Sequence, residues 1–125
     1  MWGRILKKPK KNNGHWMPFF VGDYLSDTMH LTTEQHGAYL LLIMAYWVKS
    51  KAIPSNDKKL ASICKMSEKK WAENRAIISE FFDTDSDKEL WVHHRIEKEI
   101  EDGEERRRAA VERGTKGANK RYGKT

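Results

Sequence analysis

The apolar pattern is densest in residues 31–48, LTTEQHGAYLLLIMAYWV. Ala38, Leu42 and Ala45 recur at helical spacing, and apolar side chains fill the remaining sides as well. A helix that is apolar on every side is expected to be buried on every side, so we predict the central helix of the domain here. Its last ten residues, 39–48, carry no charge. Because a membrane span needs about 20 apolar residues, a membrane anchor is excluded on length.

The approach to this helix is polar. Thr32 or Thr33 is the expected N-cap, and Gln35 or His36 follows at the spacing of a capping box. Two histidines and three carboxylates fall within 14 residues here: Asp23, Asp27, His30, Glu34 and His36. They match no H-E-x-x-H or C-x-x-C spacing, and local roles in caps and turns account for each. We therefore expect neither a metal nor a cofactor.

Shorter elements are predicted to follow the central helix. Ser55 or Asn56 is expected to cap a helix over about 57–65, and Ser67 a helix that ends near residue 82. Two helices joined by a tight turn give a helix-turn-helix outline.

Beyond that outline, the pattern predicts one hairpin and one long helix. Residues 81–83 and 90–94 are expected to pair as a hairpin, the wing of a winged helix. A last helix is predicted from about Arg95. Its apolar stripe stops after Ile100, so it is expected to leave the body from Gly103.

The fold class is therefore mostly α with a small β-hairpin, a winged-helix-like domain with a long C-terminal helix and a basic tail. Residues 1–15 are predicted to be a basic flexible arm, residues 16–102 the domain, and residues 103–125 a basic helical extension and tail. Within the domain, residues 16–25 are rich in aromatics and are predicted to be an extended segment that ends in a turn. The tail is Gly- and Lys-rich and is expected to be mobile or to fold on binding.

Charge is distributed unevenly within the net +6. Residues 1–13 hold five basic residues and no acid, and residues 106–125 hold eight basic residues and one acid. Residues 14–105 hold 11 basic and 17 acidic residues, so an acidic body lies between two basic ends. This asymmetry points to nucleic acid or another polyanion bound by the ends. The alternatives are that the basic ends only aid solubility or that they balance the acidic body of a neighbouring subunit.

Basic side chains in three places are the predicted nucleic-acid contacts: Lys7, Lys8, Lys10, Lys11, Lys69, Lys70, Arg106, Arg107, Arg108, Arg113, Lys116, Lys120, Arg121 and Lys124. The C-terminal extension and tail are expected to be flexible, so their contacts should be weakly specific and strongly salt-dependent. DNA is the favoured nucleic acid, with RNA left open.

The usual DNA-reading surfaces of a winged helix are acidic in this sequence. The exposed side of the third predicted helix carries three glutamates, and the wing tip holds Asp83, Asp85, Asp87 and Glu89. These carboxylates repel phosphates, so the wing is expected to bind a protein partner.

The sequence shows no constellation that requires an enzyme. Cys64 is the only cysteine, so no internal disulfide forms, and a lone cysteine favours a reducing compartment, the cytoplasm. It has no evident His/Asn partner pattern, and neither a phosphate-binding loop nor a dinucleotide fingerprint occurs. His93 and His94 point to opposite sides of a strand and are not expected to share an ion. We predict that the protein is not an enzyme.

The stretch PFFVGDYLSDTMHLTTEQHGAYLLLIMAYW, then IPSNDKKLASICKMSEKKW, FF and WVHHRIEKEI, and finally RGTKGANKRYGK, occur in this order. In this order they resemble the YdaU-like family of phage and prophage proteins, from residue 16 to about 122. The resemblance implies a winged-helix-like fold and an association with phage replication or DNA. It implies no catalytic residue.

Two function hypotheses follow. In the first, a phage- or prophage-derived protein binds nucleic acid through its basic ends during replication, while its acidic body binds a protein partner. In the second, a small phage protein inhibits a host nucleic-acid-processing complex through its acidic wing and helix face. A metal enzyme built on residues 23–36 is a third, weaker alternative. The sequence leaves the oligomeric state open.

Overall fold

The computed structural model describes residues 16–84 and 89–121, with side chains up to residue 115. In chain order the elements are α1 (Val21–Asp27), α2 (Thr33–Lys49), β1 (Ile53–Pro54), α3 (Asp57–Ile63), α4 (Glu68–Ser79), β2 (Leu90–Trp91) and α5 (His94–Arg121). The described part is therefore mostly helical with a small two-stranded antiparallel sheet. This confirms the predicted class at the level of secondary structure content.

Helix α2 begins as its sequence predicts. Thr32 is the N-cap, and its hydroxyl accepts a hydrogen bond from the Gln35 backbone N–H, while the Gln35 side chain accepts one from the Thr32 N–H. This reciprocal pair satisfies two of the N–H groups that a helix start leaves free. The helix ends at Lys49, and its C-cap, Ser50, has a left-handed φ of 54°.

The prediction that α2 is buried on every side is wrong. Ala38, Leu42 and Tyr46 face the core, but Met44 is 50% exposed and Val48 is 52% exposed. Within the described residues, α3, α4 and α5 pack on α2 and leave part of it open. Composition cannot distinguish a helix enclosed by neighbours from one that keeps an open apolar side.

The core lies between α2, the helices α3 and α4, and the start of α5. Its largest fully buried side chains include Trp71, Trp91 and Tyr46. The two indoles contact each other with centroids 5.7 Å apart, and Phe82 packs on Trp91 at 5.2 Å. Aromatic packing thus joins α4 to the sheet.

The sheet differs from the predicted hairpin. Asp83 and Val92 exchange both backbone hydrogen bonds, at 2.7 and 2.9 Å, but they form only one bridge. Strand β2 pairs instead with β1, with Ile53 opposite Trp91. Strand β1 has two residues, one of them a proline, so it offers no alternating pattern for sequence reasoning to detect.

The segment after Trp16 is extended only up to Phe20, and α1 follows where a turn was predicted. Gly22 and the lack of an apolar stripe hide this short helix in the sequence. Its stabilising contacts are tertiary: the Arg95 guanidinium lies 3.0 Å from the Asp23 carboxylate and 4.6 Å from the centre of the Phe20 ring.

The other helices keep their predicted caps but not all of their predicted lengths. Asn56 caps α3 and Ser67 caps α4, each through a side-chain oxygen. Both helices end before the expected residues. By contrast α5 continues through residues 114–121, which were predicted to be mobile. Acidic residues near its start and basic residues near its end complement the helix dipole and favour this length.

Candidate nucleic-acid interface

An open groove lies between the end of α2 and the middle of α5. It has a volume of 430 Å³. Its lining consists of Trp16, Trp47, Val48, Ser50, Ile100, Gly103, Arg106, Arg107 and Ala110. We call it the tryptophan–arginine groove.

Helix α5 contributes one of its faces to this groove. Ile100, Gly103, Arg107 and Ala110 follow one another at intervals of three or four residues, which places them on one side of the helix. Gly103 has ordinary space around it, since an added Cβ would lie 3.6 Å from the Arg106 guanidinium. Apolar side chains, among them Ile100 and Ala110, form the floor of the groove, and Arg106 and Arg107 form a cationic rim.

The two tryptophans of the groove differ in accessibility. Trp47 is half-buried at the end of α2 and packs on the core. Trp16 is 62% exposed at the start of the described chain. The sequence does not predict a role for Trp16, because its neighbours in the groove are remote in sequence.

Charge along α5 changes sign at the groove. Residues 94–105 hold six acids and two basic residues, whereas residues 106–115 hold four arginines and only Glu112 as an acid. Arg106, Arg107, Arg108 and Arg113 are all exposed. The predicted cationic extension is therefore displayed on a helix, with its first residues on the groove rim.

The basic residues of the two ends differ in how much of them the structure describes. Lys11 precedes Trp16 by five residues and Lys7 precedes it by nine. The predicted contacts Lys7, Lys8, Lys10 and Lys11 lie outside the described residues, and the first described residue, Trp16, lines the groove. The C-terminal basic segment begins at Arg106, on the same groove.

The other predicted contacts do not line this groove. Lys69 is exposed on α4, and the Lys70 ammonium lies 3.5 Å from the Glu34 carboxylate. Lys116, Lys120 and Arg121 belong to the helical backbone of α5 without described side chains, and Lys124 lies outside the described residues.

The predicted acidic partner site is only partly described, because Asp85 and Asp87 lie outside the described residues. Asp83 is held by its backbone bridge, and its carboxylate lies 3.4 Å from His94 Nε2. Glu89 is exposed, has a left-handed φ of 51°, and its carbonyl accepts a 2.8 Å hydrogen bond from the Ser55 N–H. Both described residues thus also shape the sheet.

A family model described as "Protein of unknown function (DUF1376)" matches residues 15–101. The chain belongs to this family. It is also 45% identical over 85 residues to "Uncharacterized protein YdaU" of Escherichia coli (strain K12), a stretch that covers 68% of this chain and 28% of YdaU. The resemblance to the YdaU-like family is thereby confirmed. No solved structure matches the chain. The family match ends before Arg106, so the arginine rim of the groove lies past it.

The histidines and carboxylates that raised the metal hypothesis are dispersed in this DUF1376 chain. Asp23 pairs with Arg95, Glu34 with Lys70, and His36 Nδ1 lies 2.8 Å from the Tyr24 hydroxyl. His30 lies 3.7 Å from the Glu80 carboxylate. Within residues 16–84 and 89–121, no three such side chains are grouped to hold a metal ion.

Two further reactive side chains are held by the core. Cys64 is buried, its thiol points to the Ala38 carbonyl at 3.6 Å, and burial raises its pKa to about 12. The thiol is therefore protonated at neutral pH and is a poor nucleophile. Burial lowers the pKa of His93 to about 4 and raises that of Tyr39, whose hydroxyl contacts the His93 ring at 2.8 Å.

Each helix in the described part of the chain is too short or too polar to span a membrane.

Proposed function

We propose that this is a phage- or prophage-derived protein of replication that binds nucleic acid, DNA or RNA, through its basic ends. In this proposal, the acidic body binds a protein partner. The observation that carries the proposal is the tryptophan–arginine groove, whose lining includes Arg106 and Arg107 at the start of the C-terminal basic segment. In the proposal the basic residues bind phosphates, and phosphate contacts of this kind dominate nucleic-acid affinity.

We also propose that the body is a winged-helix-like domain. The order of α2, β1, α3, α4 and β2 supports this, because the helix pair α3–α4 lies between the two paired strands in the chain. The bridge from Asp83 to Val92 adds a third segment beside β2. The exposed side of α4 carries Glu68 and Glu73 beside Lys69, so the charges favour the groove over α4 as the phosphate-binding surface.

The test is binding of a labelled duplex and a labelled single strand by fluorescence anisotropy, between about 50 and 200 mM salt. One variant of the whole chain carries Arg106→Gln, Arg107→Gln and Arg108→Gln. A matched control carries Lys58→Gln, Lys59→Gln and Lys65→Gln, which removes the same charge from exposed positions on α3 and the turn after it.

We expect the arginine variant to bind more weakly than the unchanged chain. Its salt slope should fall by about one for each phosphate that an arginine no longer neutralises, while the control binds as the unchanged chain does. Equally weakened binding in both variants, or weakened binding in the control alone, would contradict binding at the groove. Absence of binding by the unchanged chain would refute nucleic-acid binding altogether.

The second candidate is inhibition of a host nucleic-acid-processing complex through the acidic wing. The exposure of Glu89 favours it, whereas the contact of Asp83 with His94 gives that carboxylate a structural role as well. Neutralising Asp83, Asp85, Asp87 and Glu89 to the corresponding amides separates the two functions. Retained nucleic-acid binding with loss of a captured host nuclease or polymerase would favour the inhibitor.

A further inference from the structure

We propose that the tryptophan–arginine groove binds single-stranded nucleic acid, with unpaired bases stacked on Trp16 and Trp47 and phosphates held by Arg106 and Arg107. This inference rests on the proposed function and narrows it from nucleic acid in general to the single strand. It also assigns a role to two aromatic residues that the charge argument leaves unused.

Stacking is the first step of the argument. Trp16 is 62% exposed to solvent, although an indole is a large apolar group that is normally buried. Trp47 lies half-buried in the same groove and supplies a second, more firmly held ring. Every base has a π-face, so aromatic platforms bind single strands with little sequence preference.

Charge is the second step. The guanidinium groups of Arg106 and Arg107 line the same groove as the indoles, and a guanidinium pairs with phosphate through two parallel N–H groups. Aromatic rings beside a cationic groove are the combination that single-strand-binding proteins use. A duplex keeps its bases in the stack and cannot offer their faces to Trp16 and Trp47.

Space and continuity are the third step. The groove's 430 Å³ falls within the range of about 300–1,000 Å³ that is usual for small-molecule sites, so it admits bases. Arg108 and Arg113 continue the positive charge along α5 beyond the groove. At about 1.5 Å rise per residue, Arg113 lies about 10 Å along the helix axis from Arg106, which extends the cationic track for the strand.

An acidic peptide is the competing occupant, because carboxylates also pair with arginine. The groove favours nucleic acid over it for two reasons. Its apolar lining includes two indoles. In addition, residues 106–115 of α5 hold four exposed arginines and only Glu112 as an acid. The closely spaced phosphates of a nucleic acid match this density of positive charge better than the scattered carboxylates of a peptide do.

The experiment uses the whole chain and three labelled probes of equal length, about 15 nucleotides, to cover the usual site size: a thymidine strand, an abasic strand and a duplex. Anisotropy gives affinity, and tryptophan fluorescence reports stacking. The test variants are Trp16→Leu and Trp47→Leu. The control is Phe19→Leu, which changes an aromatic ring that is 45% exposed outside the groove.

We expect the thymidine strand to bind most tightly and to quench tryptophan fluorescence. Each tryptophan variant should weaken its binding roughly tenfold, whereas the control and the abasic strand should show no such dependence. Because Trp16 is exposed, Trp16→Leu tests the proposal even if Trp47→Leu unfolds the chain.

The outcomes separate this inference from the proposed function. Equal binding of thymidine and abasic strands, unaffected by Trp16→Leu, overturns base stacking and leaves charge-driven binding intact. Absence of binding to every probe overturns both. Polyglutamate that binds as tightly as the thymidine strand, with the same dependence on Trp16, would assign the groove to an acidic protein segment instead.

Discussion

His93 illustrates how a single buried side chain is held in one protonation state. The Ile96 backbone N–H donates to His93 Nδ1 at 3.2 Å, so Nδ1 is an acceptor and the ring proton of the neutral form lies on Nε2. Nε2–H then donates to the Tyr39 hydroxyl oxygen at 2.8 Å. A second proton would displace the Ile96 hydrogen bond and place a charge in the core, which is why burial depresses the pKa of this ring.

This arrangement predicts a pH dependence of stability. In the folded state the His93 pKa is about 4, below its ordinary value of 6.5. The unfolded chain therefore takes up a proton that the folded chain refuses, so stability is complete above pH 6.5 and falls as the pH drops towards 4. We expect a loss of roughly 2 kcal/mol from this group, after allowance for the part of the ring that solvent reaches.

The measurement is urea unfolding of the unchanged chain and of His93→Asn across this pH range. Asparagine keeps an acceptor for the Ile96 N–H but does not titrate, so His93→Asn should lose part of the pH slope. His30→Asn, a change at an exposed histidine in the turn after α1, is the control and should keep most of the slope. An unchanged slope in His93→Asn would contradict the assignment.

At the scale of elements, three helices of the body are defined by the residues at their starts. Thr32, Asn56 and Ser67 each accept a hydrogen bond from a backbone N–H in the first turn of the helix they cap. The capping side chains are adjacent in sequence to the groups they satisfy, so these starts are readable from sequence alone. The helix ends are harder to predict, because packing rather than local chemistry sets them.

The N-cap of α2 gives the second prediction. Thr32→Ala removes the acceptor of the Gln35 N–H and half of the capping box, so we expect a loss of about 1 kcal/mol in the free energy of unfolding. The control is Thr33→Ala, at the exposed first residue of the same helix. The measurement is chemical denaturation of both variants, which compares their free energies of unfolding. Equal losses would mean that threonine at this end acts through something other than the cap.

At the scale of the whole molecule, the position of α5 determines where the basic extension points. Tyr46 on α2 donates a 2.7 Å hydrogen bond to the Glu97 carboxylate and accepts a 3.2 Å bond from the His93 N–H. Ile96 packs in the core beside this contact. The start of α5 is thereby joined to the central helix, and Arg106 is carried to the rim of the tryptophan–arginine groove.

Removal of this hydroxyl gives the third prediction. Tyr46 is fully buried, so Tyr46→Phe leaves the His93 N–H and one Glu97 oxygen without this partner in a partly buried site. We expect a loss of about 1–3 kcal/mol in stability, seen by thermal or urea unfolding. Tyr24→Phe removes a hydroxyl that contacts His36 at the surface and should cost less. A smaller loss of stability in Tyr46→Phe than in Tyr24→Phe would contradict a connection between α2 and α5 through the Tyr46 hydroxyl.

The sequence by itself determined the features that depend on neighbours along the chain. The cap at Ser67, a cap at Thr32 or Thr33, the helical class and the division into an acidic body with basic ends all follow from residue types at short spacing. The family resemblance also rests on motifs read in order. The chemistry that produces these features acts within one turn of a helix, so no knowledge of the fold is needed to predict them.

Only the tertiary structure decided which distant segments meet. The pairing of Ile53 with Trp91, the open side of α2 and the meeting of Trp16, Trp47 and Arg106 in one groove join residues far apart in sequence. Such contacts depend on how the helices pack, and packing is set by the summed burial of many side chains rather than by a local pattern. The basic ends could be predicted from the sequence, but the groove beside Arg106 and Arg107 could not.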